Sequence, residues 1–130
     1  MENSAGWSQD IHEQLREINN ASELDTDDLG LVAASEDILG YAVEVSRKLD
    51  SLRLPRPSIF PTDEGSFRFE WLIQDKSHLS LDIKPDNLKP LVKFEVFFTT
   101  LGASQEAGFE FIYTAEAIRK CYELYNKLNT

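Results

Sequence analysis

The sequence is poor in the residues that build disulfides, metal centres and membrane spans. Among its 130 residues it has one cysteine, Cys121, and two histidines, His12 and His78. A lone cysteine cannot form an internal disulfide, so the composition favours a reducing, cytoplasmic compartment. The apolar runs are far shorter than the ~20 residues that span a bilayer, and the first ten residues are polar and acidic. We therefore expect neither a signal peptide nor membrane binding.

Basic residues are missing from a long stretch of the N-terminal half. No Lys or Arg occurs between Arg16 and Arg47, and residues 1–50 hold 12 acidic against 3 basic residues, whereas residues 51–130 hold 11 against 10. Such a field repels phosphate, so direct nucleic-acid binding is not expected. The stretch is either a solubilising surface, a face that docks on a basic partner, or a mimic of nucleic-acid phosphate. The acidic residues of the docking interpretation are Glu23, Asp25, Asp27, Asp28, Glu36 and Asp37.

Apolar residues at helical spacing predict that the N-terminal part is helical. A first helix has an apolar stripe that ends before Asn19-Asn20, with Ser8 as its N-cap. A second helical stretch covers residues 27–52 with Thr26 as its cap. Ser35 is followed by two acidic residues and offers a second cap, so this stretch is one helix or two. The first stripe consists of Trp7, Ile11, Leu15 and Ile18.

Strict alternation of apolar and polar residues predicts the sheet. Three prolines hold residues 54–61 extended, because proline fixes φ and restricts the residue before it. A turn at residues 62–65 then leads into a strand whose side chains Phe67, Phe69, Trp71 and Ile73 point to one side. Three further strands are predicted around residues 79–84, 91–99 and 109–113.

These elements predict a single α+β domain over residues 1–130. It comprises an acidic helical part, 1–52, a sheet, 66–113, and a C-terminal helix, 114–129, capped by Thr114. The short connections favour a four-stranded antiparallel meander with the helices packed on one sheet face. The apolar stripe of the last helix is predicted to contain Ile118, Cys121, Tyr122, Tyr125 and Leu128.

The proline-rich turn and the strand after it resemble a family of small bacterial proteins of uncharacterised function. The shared pattern is a proline, Pro-Thr, an acidic-Gly turn and alternating apolar residues that end in Glu-Trp, over about 15 residues. The resemblance implies a bacterial protein encoded near mobile or defence-related genes, and it brings no catalytic residues with it. The matching positions are Pro57, Pro61, Thr62, Asp63, Gly65, Phe67, Phe69, Glu70 and Trp71.

No motif for catalysis, metal binding or a cofactor is present, and we predict no catalytic, metal or cofactor site. Neither histidine has a companion at ligand spacing, and Cys121 lies on a helix stripe as a small buried residue. Four acidic residues share the outer face of the predicted sheet with three basic ones, which favours cross-strand charge pairs over acid–base chemistry. These charged residues are Glu70, Asp82, Glu95 and Glu110 with Arg68, Lys84 and Lys93.

Two features favour a protein-interaction function. One is the acidic helical end, and the other is an apolar group on the outer sheet face, exposed together or covered by another element. The leading hypothesis is a non-enzymatic partner subunit, inhibitor or adaptor whose partner is an unidentified protein or a second copy of itself. The alternative is a ligand-binding domain or enzyme with a pocket lined by Tyr41, Trp71, Tyr122 and Tyr125. The apolar group consists of Leu72, Leu91, Phe97 and Ile112.

Overall fold

The computed structural model describes residues 6–24, 33–62, 64–74, 76–86, 92–100 and 106–130. Within these ranges the chain forms three helices and five strands, which confirms the α+β class. None of these helices is long and apolar enough to cross a bilayer. In chain order the elements are α1 Ile11–Leu24, α2 Glu36–Ser51, β1 Ser58–Pro61, β2 Phe67–Ile73, β3 Ser77–Pro85, β4 Val92–Thr100, β5 Glu106–Phe111 and α3 Thr114–Leu128.

The strands form one antiparallel sheet in the order β1-β2-β3-β4-β5. The predicted meander is confirmed, but the predicted number of four strands is wrong. The additional strand is β1, which the prolines indicated only as an extended segment. It pairs with β2 from Ser58 opposite Glu70 to Pro61 opposite Phe67. Because β1 lies at the sheet edge, Pro61 can occupy its end without removing a hydrogen bond from a central strand.

Aromatic and aliphatic side chains of successive strands meet on one side of the sheet, which we call the core face; the opposite side is the outer face. Trp71 lies opposite Leu79 and Phe67 opposite Ile83, and all four side chains are buried. The same cluster continues through β4 and includes the buried side chains of α1, α2 and α3. The alternation predicted from residue 67 onward is therefore confirmed.

Helix α1 is longer than its apolar stripe indicated. It continues past the end of this stripe, through Asn19 to Leu24. Asn19 is buried, and its side-chain amide donates to the Ala34 carbonyl over 2.9 Å while its carbonyl accepts from the Ala34 N–H over 2.7 Å. A buried polar side chain with both of its groups satisfied is compatible with a helix interior. The predicted N-cap, Ser8, instead donates its backbone N–H and its hydroxyl to Asp50.

The start of helix α2 bears on whether residues 27–52 form one helix or two. It begins at Glu36, and the Ser35 hydroxyl accepts a hydrogen bond from the Ile38 N–H over 3.2 Å, as an N-cap does. The cap predicted at Ser35 is therefore confirmed. Thr26 and the rest of residues 25–32 lie outside the described residues.

The connection from α2 to β1 is held by both tryptophans of the chain. The Trp7 indole donates to the Leu54 carbonyl over 2.8 Å, and the Trp71 indole donates to the Pro55 carbonyl over 2.7 Å. Residues far apart in the sequence thus anchor two consecutive carbonyls of this segment. These bonds set the position from which β1 enters the sheet.

Helix α3 follows β5 almost directly. Its N-cap residue is Tyr113 rather than the predicted Thr114, and no side chain caps it. The predicted stripe is correct for Ile118 and Cys121, which are buried, but wrong for Tyr122, which is 38% exposed. Ala117 and Leu124 are buried in its place, because the face that contacts the sheet is rotated toward them.

Replacing Asn19 with Ala should destabilise the protein by about 2–4 kcal/mol, because two buried backbone groups of Ala34 would lose their partners. Asn20→Ala is the matched control, since Asn20 is exposed on the same helix. The free energy of unfolding from urea titration tests this expectation. Equal effects of the two substitutions would show that the buried amide contributes nothing specific.

Replacing Trp71 with Ala should cost about 3–5 kcal/mol, the usual loss for a large buried aromatic side chain. Trp71→Phe keeps a ring but removes the bond to Pro55, and we expect it to cost clearly less than the alanine variant. Chemical denaturation monitored by far-UV circular dichroism measures both. A loss under about 1 kcal/mol for the alanine variant would contradict the central position of this side chain.

Candidate interaction surface

The register of the sheet places three acidic residues side by side on the outer face. Asp82 of β3 lies opposite Glu95 of β4, which in turn lies opposite Glu110 of β5. We call these three residues the carboxylate row. Arg68 of β2 lies opposite Asp82 at the same level. Like charges directly opposite each other destabilise a sheet, so this row needs compensation from its neighbours.

Arg68 compensates the inner end of the row. Its Nε and Nη2 donate to the two carboxylate oxygens of Asp82 over 2.8 and 2.9 Å. Hydrogen bonding to Asp82 raises the pKa of Arg68, and the guanidinium carbon lies 5.2 Å from the centroid of the Phe97 ring. The Asp82 side chain is only 4% exposed beneath this contact. A fork-like pair stacked on an aromatic ring holds Arg68 in a defined orientation.

Lysines compensate the middle of the row. The Lys84 ammonium lies 3.0 Å from Glu95 and 3.4 Å from Glu64. Burial alone would raise the pKa of Glu95, but the hydrogen bond and charge of Lys84 outweigh it and hold that pKa below its ordinary value. Burial would likewise lower the pKa of Lys84, yet its bonds to Glu95 and Glu64 raise it.

The edge end of the row is the least compensated. Glu110 is 63% exposed in its side chain and contacts Lys93 at 3.5 Å, longer than the other pairs of the row. An exposed ion pair of this kind contributes little to stability, so Glu110 is held less firmly than the other two acids. Glu110 is therefore the most exposed and most loosely paired acid of the row.

The cross-strand pairing of charges that the sequence predicted is confirmed for three pairs. They are Arg68 with Asp82, Lys84 with Glu95 and Lys93 with Glu110. Alternation indicated which residues share this face, but not that three acids are level with one another. That detail depends on the register, which turn lengths between the strands determine.

The predicted apolar group on the outer face does not form a continuous patch. Leu72 is 55% exposed and lies level with His78, at the end of β2 near the hairpin. Ile112 is 47% exposed and follows β5 at the opposite end of the sheet. Phe97 is half-buried under Arg68, and Leu91 lies outside the described residues.

The acidic helical end is described only in part. Glu36 and Asp37 occupy the first turn of α2, where negative charge interacts favourably with the helix dipole. Glu36 is 73% exposed and lies 3.3 Å from Arg16 of α1. Asp25, Asp27 and Asp28, like the Glu23 side chain, lie outside the described residues.

Cys121 and His12 belong to the residue types most often used in catalysis, and each makes a different kind of contact. Cys121 is fully buried, as predicted for a small apolar residue, and burial raises the pKa of its thiol to about 12. His12 contacts Arg16 on the exposed side of α1. Within the described ranges, no group of three or more His, Cys, Asp or Glu side chains is arranged to hold a metal ion.

The four aromatic residues of the predicted ligand pocket are dispersed. Trp71 is buried in the core, Tyr41 meets the Phe94 ring edge-on at 6.0 Å, and Tyr125 packs against the core cluster. Tyr122 alone of the four lines an open groove between α2 and α3, with a volume of about 360 Å³. The other residues that line it are Glu44, Lys48, Leu52, Thr114, Ala115, Ile118 and Arg119.

Comparisons with known proteins identify no relative of this chain. No family model matches it, and neither the curated proteins nor the solved structures contain a significant match. The resemblance to small bacterial proteins with a proline-rich turn therefore stays a prediction.

Removing the Lys84 ammonium should raise the pKa of Glu95, because burial remains while the charge that opposes it is lost. In the native protein, the stabilising effect of a lowered Glu95 pKa is present above its ordinary value of 4.5 and is lost as the pH falls through the lower folded value. We therefore expect the stability of the Lys84→Met variant to fall less than that of the native protein as the pH drops through this range.

NMR titration of the Glu95 carboxyl carbon measures this shift directly. Lys76→Met is the matched control, because Lys76 is exposed in the hairpin between β2 and β3. An unchanged Glu95 titration in the Lys84 variant would show that the 3.0 Å contact does not persist in solution.

Proposed function

We propose that the chain is a non-enzymatic protein-interaction module that docks on a basic partner through the outer face of its sheet. The observation that carries the proposal is the carboxylate row, which brings three like charges to one level and ends at the exposed Glu110. A protein that needed only a soluble surface could alternate charges across its strands. An exposed and loosely paired acid at the end of the row favours a partner that supplies a further positive charge.

In this proposal all three helices cover the core face and leave the outer face free. Contacts of α2 and α3 support this arrangement, since Tyr41 meets the Phe94 ring and the Lys120 ammonium lies 4.3 Å from the Phe109 ring centroid. Both rings belong to the core face. The outer face is most accessible toward β5, where Glu110 is 63% exposed, whereas Asp82 is only 4% exposed. A sheet surface is suitable for docking, because little order must be gained on binding.

The acidic helical end provides a second negative contact in the same proposal. Glu36 and Asp37 are exposed at the start of α2, and the sequence concentrates its excess acidic residues in the same half of the chain. The single, buried Cys121 fits a reducing cytoplasm.

A second candidate function is the binding of a small ligand in the groove between α2 and α3. Its volume is at the low end of that of ligand pockets, and its apolar floor includes Ile118 and the 38% exposed Leu52. Lys48 and Arg119 at its rim suit an anionic group. We rank it second because the groove is open and its polar groups belong to long, flexible side chains.

Neutralising the edge end of the row should weaken partner capture. In a pull-down from lysate of the native host at about 0.15 M salt, the double variant Glu95→Gln/Glu110→Gln should retain about two- to tenfold less of the captured partner than the unmodified protein. Retention is measured by quantitative mass spectrometry.

The matched control is Glu17→Gln/Glu123→Gln, which removes the same charge from exposed positions of α1 and α3. The proposal predicts that this control retains the partner. Equal retention by all three proteins, or the absence of any stoichiometric partner, would contradict docking through the outer face.

A further inference from the structure

The edge of β5 leaves side chains on both faces of the sheet without a neighbouring strand. Strand β5 terminates the sheet order, and no described residue pairs with its far side. In an antiparallel ladder alternate residues of an edge strand direct their N–H and C=O groups outward. Such an edge is a template for a further strand.

On the outer face, the edge ends in Glu110, which is 63% exposed and whose 3.5 Å contact with Lys93 is the longest ion pair of the row. The level that runs from Phe60 of β1 through Arg68 and the three acids of the carboxylate row stops at Glu110. A strand added beside β5 would lie about 4.8 Å away and bring a residue directly opposite Glu110. A lysine or arginine at that position would place a positive charge at each end of the row.

On the core face, the edge lacks apolar cover. Phe109 and Phe111 are half-buried, although their partners across β4, Val96 and Phe94, are almost fully buried. The Lys120 ammonium lies over the Phe109 ring in place of an apolar neighbour. Because side chains alternate between faces, a strand with a basic residue opposite Glu110 presents its adjacent residues to these rings.

We infer that β5 accepts an extended peptide segment of a partner protein as a sixth strand, with Lys or Arg at alternate positions and apolar residues between them. This inference rests on the proposed function and names the partner's chemistry and the place where it binds. A second copy of β5 fits less well, because β5 itself carries two acidic residues, Glu106 and Glu110, and no basic one.

The test uses the isotopically labelled full chain and a capped nine-residue peptide that alternates Lys with Val. NMR should show chemical-shift changes concentrated on the amides of β5 and slower hydrogen exchange there. The matched control peptide carries Pro at its central valine, which keeps the charge but removes a hydrogen-bond donor and breaks strand pairing. It should bind the protein at least about tenfold more weakly than the alternating peptide does.

Protein variants separate the contribution of the row from general attraction to a negatively charged chain. Glu110→Gln should weaken peptide binding about two- to fivefold, the effect of one exposed charge pair, and Glu110→Lys should weaken it further. Glu123→Gln on the exposed side of α3 removes the same charge and should leave binding unchanged within about 1.5-fold.

Three results would overturn the inference: equal binding of the proline peptide, shift changes centred on other elements, or a dimer that forms through β5 in analytical ultracentrifugation. Failure of the proposed function is distinguishable from these. If the peptide does not add to β5 but Glu95→Gln/Glu110→Gln still loses the captured partner, the sixth strand is wrong and outer-face docking stands. If that double variant retains the partner, the proposed function fails whatever the peptide does.

Discussion

The structure depends on one constraint, the two-residue period of side-chain direction along a strand. Because rings and aliphatic side chains from β2 to β5 occupy alternate positions, they all meet on the core face, where the helices contribute to the same hydrophobic cluster. The same period sends the intervening charged residues to the outer face. A slip of one residue between two strands would exchange the faces, so burial of Phe67 and Phe69 also secures the register that aligns the carboxylate row.

A few buried polar contacts decide how the helical part is attached to this sheet. Asn19 binds both backbone groups of Ala34, and the two indoles bind consecutive carbonyls at Leu54 and Pro55. Each contact joins residues distant in the sequence. They orient α1 and the connection to β1, whereas hydrophobic burial by itself has no direction.

The functional proposal follows from the arrangement of charge and not from its amount. The net charge of −10 is spread mostly over the N-terminal half, yet the most structured negative feature lies on the sheet, in a half of the chain that is almost balanced. Arg68, stacked on Phe97, holds one end of the row in place. The other end reaches the edge of β5, with which no strand in the described part of the chain pairs. In our proposal a partner strand with basic residues extends both the charge pattern and the apolar cover of β5.

By itself the sequence determined the α+β class, the core face of the sheet, the cap at Ser35 and the set of charged residues on the outer face. Each of these depends on local spacing or on a single residue's backbone preference. Only the tertiary structure decided that residues 58–61 pair as a strand, that Asn19 lies inside a helix, and that Asp82, Glu95 and Glu110 share one level. Those features depend on contacts between distant residues and on strand register, which periodicity within one segment does not specify.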